Sequence, residues 1–79
     1  MITAALMHQH LQERLSFPDY YGQNLDALWD CLNYVDLPLL VRWHHFTASQ
    51  QQLGDYADRT LQIFQEAQAE LPGFVIEVI

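Results

Sequence analysis

The stretch Phe17-Pro18-Asp19-Tyr20-Tyr21-Gly22-Gln23-Asn24-Leu25-Asp26-Ala27-Leu28-Trp29-Asp30-Cys31-Leu32 decides how the rest of the chain is read. Pro18 stops any helix that precedes it and pushes Phe17 toward extended geometry. Asp19, Gly22 and Asn24 are turn formers, so residues 19–24 read as a loop. A helix then starts near Asn24 or Leu25 and runs to about Leu32. Leu25, Leu28, Trp29 and Leu32 recur at spacings of three and four, which puts them on one apolar face. Asp26 and Asp30 are four apart and share a different face. The segment is thus a short amphipathic helix with an acidic side, entered through a tyrosine-bearing loop.

Upstream, residues 3–15 read as a helix with Thr3 as N-cap and Leu6, Met7, Leu11 and Leu15 as its apolar stripe. Downstream, residues 38–43 form a short apolar run centred on Leu39, Leu40 and Val41, which reads as a buried strand. Residues 48–53 suggest a short helix capped by Thr47. Residues 55–70 suggest a longer one, with Ala57, Leu61, Phe64, Ala67 and Leu71 inward and Glu66 and Glu70 outward. Pro72-Gly73 ends that helix, and residues 74–79 are rich in β-branched residues, as a terminal strand is. Strands separated by helices imply parallel pairing through a crossover. The expectation is one α/β domain over residues 1–79, with a small parallel β-sheet and about four helices. Two strands make a thin sheet, and the pattern reads as though a strand is missing at the front. An uncovered strand edge would invite a second copy, giving a homo-oligomer.

Ten acidic residues stand against three arginines and no lysine, a formal net charge of -7. Phosphate backbones and anionic membranes are bound by clustered Lys and Arg, so neither nucleic acid nor a membrane surface is the expected partner. A basic protein is, because opposite net charge speeds encounter; acidity also simply keeps proteins in solution. The lone Cys31 cannot form an intramolecular disulfide. No signal segment opens the chain and no apolar run nears the ~20 residues of a membrane helix. The expected location is the cytoplasm.

Asp26 with Asp30, and Glu66 with Glu70, are like-charged pairs with no Lys or Arg four residues away. Each costs a few tenths of a kcal/mol, and each alone reads as an ordinary solvated helix face. Tyr20, Tyr21 and Trp29 add aromatic residues of the kind enriched at binding hot spots. Trp29 suits core or interface equally, whereas Tyr20, on a loop, leans toward exposure.

Residues 17–32 closely resemble the signature of the barstar family, intracellular inhibitors of barnase-type ribonucleases. The resemblance continues through Pro38-Leu39-Leu40-Val41-Arg42-Trp43 and Phe46, and again through residues 61–70. It implies a protein that blocks a basic, extracellular-type ribonuclease in a 1:1 complex and is not itself an enzyme. On the family pattern the second helix and its loop plug the ribonuclease active site. Asp30 would be the principal anchor at a substrate-phosphate position, with Asp26 beside it. Tyr20 would pack on a catalytic histidine of the enzyme. Tyr21, Gly22, Asn24, Leu25, Trp29 and Asn33 would shape the contact, and Glu66 and Glu70 match the family's acidic positions on the later helix. Carboxylates suit this work because they accept bidentate hydrogen bonds from phosphate-binding arginines. The chain departs from the pattern in three places. The family's first strand has no counterpart before the first helix. Asn33-Tyr34-Val35 makes a shorter loop in place of a Gly-Trp contact. Pro72 stands where the prototype has a second cysteine, leaving Cys31 as a small buried hydrophobe.

Three rival readings differ in kind. His8, His10, His44 and His45 have none of the ligand spacings of metal sites, so no metal or other cofactor is expected. A two-carboxylate hydrolase would set its acids across a pocket rather than along one helix face. An acidic interaction module on the same fold, with a non-ribonuclease partner, would leave the Asp26/Asp30 face dispensable.

Overall fold

A computed structural model describes residues 3–79. The element order is α1 (Ala4–Leu15), α2 (Leu25–Leu32), β1 (Leu39–Trp43), α3 (Phe46–Leu53), α4 (Asp55–Glu70) and β2 (Phe74–Val78). β1 and β2 pair in parallel, in a register running from Leu39 opposite Phe74 to Trp43 opposite Val78. The α3–α4 segment is the crossover between them, and α4 packs against α2, α3 and β2. The expected α/β class, with four helices and a two-stranded parallel sheet, is the one observed.

The core forms where three elements present large apolar groups to one another. Leu28 and Leu32 of α2, Phe64 and Ala67 of α4, and Phe74 of β2 are at most 2% exposed, and Phe17 and Tyr21 join them from the loop. The Phe64 and Phe74 rings stack with centroids 6.3 Å apart. Each large side chain buried here contributes about 1.5–3 kcal/mol.

The helix signals work as their chemistry requires. The Thr3 hydroxyl accepts from the Leu6 amide at 3.2 Å and caps α1. At the end of α4, Leu71 turns extended and Gly73 takes φ +88°, where a glycine carries no Cβ penalty.

Three details differ from the sequence reading. Leu6 is 50% exposed and does not belong to the inner stripe of α1; His8 takes the inward place beside Met7. His8, Leu11 and Leu15 share a face at spacings of three and four, and His8 is buried because both of its ring nitrogens find partners. β1 is not buried on both faces. Leu39, Val41 and Trp43 are half-buried, while Leu40 and Arg42 are exposed, and Arg42 pairs with Glu77 across the open face at 3.1 Å. Thr47 does not cap α3. The helix begins at Phe46, and its cap position is His45, in left-handed geometry with no side-chain capping bond.

Candidate functional site

α2 is short, and its placement depends on its ends. At the start, the Asn24 side chain accepts from the Ala27 amide at 2.8 Å and donates to the Gly22 carbonyl at 3.2 Å. One side chain therefore caps the helix and ties it to the loop. At the other end the Asn33 side chain donates to the Trp29 carbonyl at 2.8 Å, which also accepts from the Asn33 amide at 3.3 Å. Leu28 and Leu32 anchor the inner face in the core, with Leu25, Ala27, Trp29 and Cys31 packed partly against it. Asp26 and Asp30 are thereby turned outward, and both are exposed. Among the described residues the one ion pair is Arg42–Glu77, so neither aspartate is ion-paired within them.

The preceding loop is equally well held. Gln12 of α1 donates to the Pro18 carbonyl at 2.9 Å, and the Tyr21 amide donates to the same carbonyl at 3.0 Å. The two adjacent tyrosines part company. Tyr20 projects into solvent, 82% exposed, while Tyr21 is 7% exposed and packs on Phe17 with ring centroids 5.0 Å apart. The Tyr21 hydroxyl lies 2.6 Å from Nδ1 of His8, and Nε2 of His8 lies 2.6 Å from the Tyr56 hydroxyl. Burial is the main cause pushing the Tyr21 phenol far above its usual range. It also lowers the pKa of His8 and, reinforced by the Asp30 charge, raises that of Cys31. Cys31 is half-buried, so its role as a small hydrophobe is only partly realised.

A groove of about 450 Å³ runs beside Asp30, lined by Tyr20, Gly22 and Asp30 together with Tyr34 and Asp36 from the turn after α2. Its wall is partly aromatic, and its charged groups are the carboxylates of Asp30 and Asp36. The structure therefore brings Tyr20, Gly22 and Asp30 together. Asn24, Asp26 and Asn33 are exposed around α2, and Leu25 and Trp29 are half-buried on it. Glu66 and Glu70 are exposed on α4. Tyr21 also lines the groove, although it is only 7% exposed. Tyr34, 87% exposed, belongs to the shortened Asn33-Tyr34-Val35 loop, and neither it nor Asp36 is among the site residues expected from the sequence. Their only signal was an aromatic and an acid in a turn just past the helix. Among the described residues no group of three His, Cys, Asp or Glu side chains is arranged to hold a metal ion. None of the described helices is long and apolar enough to cross a membrane.

Chemically, the surface offers carboxylates without counter-charges and an exposed aromatic ring. That combination can take guanidinium or ammonium groups, by hydrogen bonding to the acids and by contact with ring faces. The family described as Barstar (barnase inhibitor) matches residues 1–78. A Bacillus subtilis (strain 168) protein named "Putative ribonuclease inhibitor YrdF" is 55% identical over 67 residues, covering 84% of this chain and 74% of that protein.

Proposed function

The chain belongs to the barstar family, and on that premise we propose that it inhibits a basic, barnase-type ribonuclease by seating α2 and its loop in the enzyme's active site. A ribonuclease-inhibitor role is what the family and the Bacillus relative have in common. The observation that carries the finer reading is the outward, unpaired placement of Asp26 and Asp30 beside the exposed Tyr20. In this reading Asp30 occupies a substrate-phosphate position and accepts from the enzyme's phosphate-binding arginines. Asp26 stands beside it, and Tyr20 covers the catalytic histidine. Gly22, Asn24, Leu25, Trp29 and Asn33 shape the rim. Tyr21 acts by fixing the loop. Glu66 and Glu70 add a second acidic contact from α4. The net charge of -7 steers a cationic enzyme toward the complex; the barnase–barstar pair is one of the cases from which this steering rule comes. The setting is cytoplasmic, and the protein turns nothing over.

Titration of such a ribonuclease with the chain tests this reading. Activity is expected to fall linearly and vanish at one equivalent. Inhibition that never saturates, or its absence, would overturn it.

A second observation favours an additional contact between copies. Leu39 donates to Gly73 and Trp43 accepts from Ile79, so alternation directs the backbone groups of Leu40 and Arg42 to the other edge of β1. A groove of about 850 Å³ lies along that edge, between β1 and α1. Self-association through it would give a concentration-dependent sedimentation coefficient, and a constant monomer value would exclude it.

A further inference from the structure

The imidazole of His8 is the fully buried polar ring of α1, and it is held at both nitrogens, 2.6 Å from the hydroxyls of Tyr21 and Tyr56. Those hydroxyls come from two different places, the loop before α2 and the first turn of α4. A neutral imidazole has one N–H and one lone pair. One tyrosine must therefore donate to the ring while the other accepts from it, so the two contacts are set together. The ring is 5.6 Å from Tyr21 and 5.8 Å from Tyr56 between centroids, tilted on the first and edge-on to the second. The bridge joins α1 and α4 to the residue immediately before Gly22 and immediately after the exposed Tyr20.

We propose that His8 is a positioning residue for the partner-binding loop, acting through Tyr21 to hold Tyr20 and the Gly22–Asn24 turn in their binding geometry. This rests on the reading of the Tyr20–Asp30 surface as the inhibitory face. The loop is also held by the Phe17 ring in the core and by the Phe17 amide, which donates to the Gln12 carbonyl at 3.0 Å. Its backbone closes on itself from Tyr21 to Pro18, and Gln12 reaches Pro18 from α1. The Phe17–Tyr21 ring contact sets the tilt of the ring. The hydrogen bond to His8 is directional and fixes where the hydroxyl end of that ring lies. Because Tyr20 and Tyr21 are neighbours in the chain, a shift of one buried ring moves the exposed one.

The test compares the native chain with His8→Leu, His8→Gln and Tyr21→Phe. Leucine fills the site without polar atoms; glutamine restores a donor and an acceptor; the phenylalanine variant removes only the hydroxyl and keeps the ring, which protects the fold. Hydrogen exchange in the free protein is followed at the Tyr21 amide and referred to the Phe64 amide in the core. Binding to a barnase-type ribonuclease is measured alongside, with Asp30→Ala as the control for the inhibitory face. For His8→Leu and Tyr21→Phe, protection at Tyr21 is expected to drop about tenfold or more relative to Phe64, the scale set by an unpaired buried polar group. The dissociation rate is expected to rise by a similar factor, and His8→Gln to recover most of both. Unchanged relative protection in the first two variants would overturn the proposal, and so would a glutamine variant that behaves like leucine. If the native chain fails to bind, the reading of the inhibitory face falls, and the exchange arm still decides what His8 does.

Discussion

Replacing Asn24 with alanine removes two interactions at once, the cap on the Ala27 amide and the tie to the Gly22 carbonyl. Both groups are exposed, so water replaces the lost partners and no buried group is orphaned. The expected cost is that of an N-cap, about 1 kcal/mol. For 79 residues the whole stability is roughly 4–12 kcal/mol, so the loss is a tenth to a quarter of it and lowers the melting temperature by about 4–8 °C. Asn24→Asp separates the two interactions. It keeps the acceptor for Ala27, loses the donor to Gly22, and adds a negative charge that the helix N-terminus favours by about 0.3–1 kcal/mol. It should lie within about 0.5 kcal/mol of the native chain. Urea unfolding at neutral pH measures both, and an unchanged slope with a shifted midpoint assigns the effect to stability. A loss under about 0.3 kcal/mol for Asn24→Ala, or an aspartate variant as unstable as the alanine one, would refute the capping account. The consequence for function is local, because the first turn of α2 carries Asp26.

Three further outcomes follow from the same structure. Leu28→Ala, at a site with no exposure, should cost about 2–5 kcal/mol in urea unfolding; a loss below about 1 kcal/mol would mean that α2 does not pack where it is described. Burial lowers the pKa of His8 from its ordinary 6.5, so the unfolded chain holds a proton that the native one lacks. Stability should be full above pH 6.5 and fall as the pH drops below it, and His8→Gln should flatten that fall; an identical pH profile for the two chains would contradict it. Association with a cationic ribonuclease should slow as salt rises, since screening sets in over about 8–10 Å, whereas a salt-independent association rate would remove electrostatic steering from the account.

Much of this architecture was legible because the informative residues are local signals. Pro18, Asn24, Pro72 and Gly73 punctuate the chain where the elements begin and end, and the Leu25–Leu32 periodicity gave α2 its bounds. Reading failed where a tertiary contact overrode a local rule. A histidine is a poor guess for the inside of α1, and only two tyrosine hydroxyls far apart in sequence make His8 fit there. Spacing puts Leu6 on the apolar stripe of α1, yet it stays 50% exposed. The apolar run of β1 suggested cover on both faces, whereas Leu40 and Val75 remain 48% and 43% exposed. At the site, spacing separated the acidic face of α2 from its apolar one. It could not separate Tyr20 from Tyr21, because adjacent loop residues carry no periodicity. Tyr34 and Asp36 joined the groove only once the turn after α2 had a shape.

The most direct measurement compares two single-charge removals in the same ribonuclease inhibition assay. Asp30→Ala takes a carboxylate from the proposed inhibitory face, and Glu13→Ala takes one from an exposed position on α1. Both change the net charge equally, so general electrostatics affects them alike. The account predicts that Asp30→Ala weakens inhibition by at least about thirtyfold, the scale of a 2 kcal/mol hot spot, while Glu13→Ala stays within about threefold of the native chain. Equal, small losses for the two variants would contradict it, and would mean that the acidic face of α2 is not what grips the enzyme.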